Sequence, residues 1–73
     1  MYIVFEINNS DKIIAREFPL ATEGAVEKFT EETKIPIKKE WLKEEKFADH
    51  LFTQLQANSD ENITYMVGEV SLH

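Results

Sequence analysis

Carboxylates are the most abundant reactive side chains here, and several stand as adjacent pairs: Glu31 and Glu32, Glu44 and Glu45, Asp60 and Glu61. General acid–base work needs carboxylates that converge on a cleft, one of them with a shifted pKa. Helix neighbours diverge by about 100°, so these pairs point apart and read as solvated faces. Asp49 and His50 are adjacent and His73 is terminal. That falls short of the three or four ligands a zinc tetrahedron needs, so no metal is expected. Nucleophilic catalysis lacks its parts: there is no Cys, and Ser10, Ser59 and Ser71 fall in turns or at a strand end. With only Gly24 and Gly68 in the chain, no phosphate cradle is possible. No cofactor is expected, and the chain reads as a non-enzyme.

One charge pattern does suggest recognition. Glu23, Glu27 and Glu31 recur every four residues and would line one helix face at about 6 Å intervals. Like charges at this spacing oppose helix formation, so stability alone would favour lysine there. Carboxylates so spaced can imitate a run of phosphates before a basic surface. Farther on, Lys38, Lys39, Lys43 and Lys46 interleave with Glu40, Glu44, Glu45 and Asp49. That mixture marks a solvated face and breaks any continuous acidic surface. Trp41 reads first as core, but exposed beside Leu42 and Phe47 it would anchor an interface. Glu44 would support a small-ligand site only if buried in a pocket with a raised pKa. The candidate partner-binding residues are therefore Glu23, Glu27, Glu31, Trp41 and Glu44.

The elements that must position these residues follow from periodicity. Tyr2–Ile7 is a β-branched and aromatic run, apolar on both faces apart from Glu6, which predicts a central strand. Asn8–Lys12 is turn chemistry, and Ile13–Phe18 is the return strand, with Pro19 expected to end the pairing. Thr22 caps a helix whose buried stripe is Ala25, Val26 and Phe29, and whose end near Thr33 is set by Pro36. Pro36 would open a second helix over Ile37–Ala57, with Ile37, Trp41, Ala48, Leu51, Phe52 and Leu55 on one stripe. Glu44 falls within that stripe. Either the helix breaks between Leu42 and Phe47, or its first part overhangs the core and leaves Glu44 exposed. Asn58–Asn62 is a loop, and Ile63–Val70, running on towards Leu72, is the last strand. A parallel partnership with the first strand is expected.

The expected fold is a small two-layer α+β domain, ββααβ, with a three-stranded sheet and two helices packed on one face. It spans 1–73 as one domain. A chain of 73 residues without Cys must rest on a small apolar core or on self-association. Its net charge of −6 disfavours direct binding to nucleic acid or anionic membranes. No apolar run is long enough to span a bilayer and no signal peptide is present, so a cytoplasmic location is expected. The functional expectation is an acidic protein-binding module, of the kind phage or mobile-element regulators and inhibitors use. Its partner would be a protein with a basic, nucleic-acid-binding surface. The alternative is an assembly protein acting as a homodimer, because exposed edge strands invite pairing.

Overall fold

The computed structural model describes residues 1–71. Three strands form one antiparallel sheet: β1 (Tyr2–Asn8), β2 (Ile13–Leu20) and β3 (Ile63–Glu69), in the spatial order β2-β1-β3. Between β2 and β3 come helix α1 (Glu23–Thr33), a 3-10 turn (Lys39–Lys43) and helix α2 (Phe47–Asn58). The architecture is α+β with the order ββααβ, and β1 is central as its doubly apolar pattern predicts. No helix among the described residues is long and apolar enough to cross a membrane.

The hairpin closes through local polar chemistry. Ser10 N–H donates to Asn8 Oδ1 at 2.9 Å, and Lys12 N–H donates to the Asn8 carbonyl at 2.7 Å. Lys12 takes the left-handed conformation, φ 58°. A bulge shifts the register after Glu6, so that Glu6 faces Arg16 while Ile7 faces Ile14. Contrary to expectation, pairing runs through Pro19, opposite Ile3, to Leu20 opposite Tyr2. β2 is an edge strand, and a proline is tolerated there when its missing N–H would face solvent.

The last strand also departs from expectation: β3 runs antiparallel to β1, with Tyr2 opposite Glu69 and Asn8 opposite Ile63. Asn9 explains the direction. Its backbone N–H donates to the Asn62 carbonyl at 3.0 Å, and its side-chain Nδ2 reaches the Asp60 and Glu61 carbonyls and Thr64 Oγ1. The chain leaving α2 is thus clamped at the turn end of the hairpin. A short loop from there can only send β3 back along β1.

Helix α1 is as its sequence predicts. Thr22 Oγ1 accepts the Ala25 N–H at 3.1 Å, and Lys34 closes the C-terminus in the left-handed conformation. The second helix is not continuous from Ile37. Ile35 and Ile37 are buried in an extended segment, where Thr30 Oγ1 donates to the Ile37 carbonyl at 3.0 Å. After the 3-10 turn, Glu44 is extended (φ −88°, ψ 146°), and α2 begins only at Phe47. The chain therefore breaks between Leu42 and Phe47, which removes the cost of placing Glu44 in an apolar stripe. The stripe that remains is Phe47, Leu51 and Leu55, and Phe52 is displaced to the surface with 51% exposure.

The core lies between one sheet face and the helical layer. Val4, Phe18 and Leu20 supply the sheet side, and Val26, Phe29, Leu51 and Leu55 the helix side. Phe18 and Phe29 meet edge to face at 5.1 Å, an arrangement that suits the aromatic quadrupoles.

Candidate functional site

The acidic stripe stands on one face of α1, but not as bare charge. Lys39 Nζ lies 2.8 Å from Glu27 Oε1, and Lys43 Nζ lies 3.5 Å from Glu23 Oε1. Both lysines come from the 3-10 turn that packs beside α1. Among the described residues only Glu31 of the three lacks an ion pair. These pairs are exposed and contribute little to stability. They do interleave cations with the carboxylates, so the surface is mixed in sign.

Trp41 and Glu44 meet at His50. The indole of Trp41, half-buried against the core, stacks on the His50 ring at 4.4 Å with an interplanar angle of 18°. His50 Nε2 lies 3.3 Å from Glu44 Oε2, a contact that is ionic only when the imidazole is protonated. Lys38 Nζ stands 5.9 Å from the Trp41 ring. Glu44 is exposed, and it borders an open cleft that also touches Met1, Tyr2, Leu42 and Phe47. Phe47 itself is buried, its ring 5.7 Å from that of Tyr2. Trp41 is thus held in a stack at the rim of the core, and Phe47 does not join it on the surface.

Two features were hidden from sequence reasoning. The first is a cross-strand row on the core face: Arg16, Glu6 and Tyr65 stand side by side in register. Glu6 Oε1 accepts Arg16 Nε at 3.0 Å, while Oε2 accepts Arg16 Nη2 at 2.8 Å and the Tyr65 hydroxyl at 3.0 Å. The Arg16 fork is the main cause holding the Glu6 carboxyl below its ordinary pKa, against the opposing effect of burial. Burial, followed by the Glu6 hydrogen bond, pushes the Tyr65 hydroxyl up to about 12. Both carboxylate oxygens are hydrogen-bonded, Oε1 once and Oε2 twice, which ties the three strands together across the core face. A strand pattern carrying one lone Glu was the only signal, and locating its partners required the register.

The second feature is the other sheet face, which no helix among the described residues covers. Val4 and Glu6 point into the core, so Ile3, Phe5 and Ile7 point away from it. In register beside them lie Ile14 and Met66, exposed at 56% and 57%. Val70 continues this face, hydrogen-bonded to Met1 and 41% exposed. Gly68 leaves space across from Ile3, and the Phe5 ring fills it: a Cβ added at Gly68 would stand 3.3 Å from Phe5 Cε2. Of the strand residues on this face, Glu17 alone is ionisable.

The charge balance is also unlike that of the helical layer. Glu23–Asp49 holds eight acids and six bases, while the rest of the chain holds six acids and two bases. Four of the six excess negative charges therefore fall in the strands and their turns and two in the helical segment. Among the described residues no group of three or more His, Cys, Asp or Glu is placed to hold a metal ion; His73 and Leu72 lie outside them. No protein-family model matches the chain, and no match was found among the curated proteins or the solved structures compared with it.

Proposed function

We propose that this chain is a protein-binding module without chemistry of its own, and that its working surface is the open face of the sheet. The observation that carries this is the central strand, whose fully apolar set faces outward in a sheet that α1 and α2 cover on the other side. A half-solvated antiparallel sheet ordinarily alternates apolar and polar residues. Here the outward set is Ile3, Phe5 and Ile7, flanked by exposed Ile14 and Met66. Contiguous apolar surface of this kind marks an interaction site.

The occupant this face suits is the apolar patch of a folded protein. A flat sheet offers no enclosed cavity for a small molecule. Nucleic acid would need cations, and the strand residues of this face carry none. A basic partner held by Glu23, Glu27 and Glu31 remains a second reading. Its support is the net charge of −6, and the Lys39 and Lys43 pairs weigh against it.

Photo-cross-linking in cells separates the two. A photoreactive residue at Met66 is expected to give discrete adducts that Ile14→Lys abolishes, while one at Glu31 gives none. Adducts from Glu31 alone would transfer the function to the acidic stripe, and adducts from neither position would remove both readings.

A further inference from the structure

Resting on the open-face reading, we infer that the occupant of this face is a second copy of the same chain. Two copies would pack sheet against sheet, giving a four-layer dimer with the helices outside.

Size is the first argument. A chain of 73 residues sits in the range where disulfides, a structural metal or oligomerisation usually supplement the core. It has no Cys, and the described residues offer no metal-binding group, so association is the supplement the chain can still supply. Self-complementarity is the second. A chain with net charge −6 repels its own image, unless the contact surface is nearly free of charge. Glu17, on edge strand β2, is the one ionisable strand residue on this face, and the mixed charges of α1 and the 3-10 turn lie on the opposite side of the molecule. A face-to-face dimer therefore keeps most of its charge in water.

Area is the third. Strands of seven or eight residues at about 3.4 Å per residue and about 4.8 Å apart cover roughly 24 by 14 Å. Allowing for side-chain relief, two such faces bury on the order of 1,000 Å² in total, near the lower bound for a specific interface. Sheets packed this way stand about 10 Å apart with strands roughly aligned, so Phe5 and Met66 of one copy would interdigitate with the same residues of the other.

Sedimentation equilibrium of the full chain, from about 1 to about 300 µM, tests this over the range in which so small an interface dissociates. The weight-average mass is expected to rise from the 8.5 kDa of one chain towards twice that value. Met66→Lys and Ile14→Lys alter side chains already more than half exposed, so the monomer should still fold, as circular dichroism would verify. Each is expected to weaken association by more than about tenfold, because a lysine would be buried without a partner. Phe52→Lys, on the exposed side of α2, should leave it unchanged. A wild-type chain that stays at monomer mass throughout overturns the inference. Adducts between Met66 and a different protein would then still uphold the open-face reading. A dimer indifferent to both Met66→Lys and Ile14→Lys overturns the inference and the open-face reading together.

Discussion

Glu6→Gln is the sharpest test of what holds the sheet to its core. The carboxylate accepts two bonds from Arg16 and one from Tyr65, at 2.8–3.0 Å. Glutamine keeps the size but has a single acceptor oxygen, so the bidentate Arg16 fork is lost, while the Tyr65 hydroxyl can turn to accept from the new amide. The loss is one charge-assisted hydrogen bond plus the ionic attraction, about 1.5–3 kcal/mol. Arg16 is 44% exposed, so it can turn to water and is not stranded. This places the cost near 2 kcal/mol, below the 3–5 kcal/mol that breaking a fully buried pair entails. For a domain of this size that is roughly 8–16 °C in Tm. Urea denaturation at neutral pH reads the magnitude, and a pH series reads its origin. The Glu6 pKa is lowered in the folded state. Its stabilisation is therefore present above the unfolded value of 4.5 and lost as pH falls towards the lower folded value. Glu6→Gln should flatten the acid limb of the stability profile. A variant within about 0.5 kcal/mol of wild type, with an unchanged acid limb, would refute the assignment of Glu6 as the electrostatic centre of the sheet.

Other outcomes can be checked with the same measurements. Tyr65→Phe should cost about 1 kcal/mol. It should also remove a loss of stability at high pH: a folded pKa raised from 10.0 to about 12 keeps its contribution below 10 and loses it as pH rises through 12. Thr22→Ala deletes the acceptor for the Ala25 N–H and should lower stability by about 1 kcal/mol, with helix content near α1 reporting the fraying. Lys34→Gly should raise stability by about 0.5–1 kcal/mol, since Lys34 is held at φ 64°, where glycine carries no Cβ penalty. An unchanged or lower urea midpoint would contradict that.

How much was legible from the chain depends on the distance over which the deciding interactions act. The hairpin turn, the Thr22 cap and the end of α1 depend on residues within a few positions of one another, and they stand where the sequence places them. The break after Leu42 was visible as a conflict, Glu44 in an apolar stripe, and the structure resolves it by beginning α2 at Phe47. The direction of β3 was misread, because it depends on Asn9 holding residues 60–64 across the end of the sheet, a contact more than fifty positions long. The pairing of Glu23 and Glu27 with Lys43 and Lys39 was missed for the same reason. Which lysines of a turn reach a helix depends on packing, not on spacing along either segment.

Composition and periodicity carry the element order, the central place of β1 and the small cysteine-free core. All of these follow from local side-chain chemistry and from period-2 or period-3.6 burial. Which face of the sheet the helices cover emerges only from the packed fold. By its own pattern β1 would bury the fully apolar set Ile3/Phe5/Ile7 and turn Tyr2/Val4/Glu6 to water, yet Val4 and Glu6 are the buried residues. Arg16 and Tyr65 stand beside Glu6 and hydrogen-bond both of its oxygens, which offsets the cost of burying the carboxylate. That left the fully apolar set facing outward, where a partner can cover it.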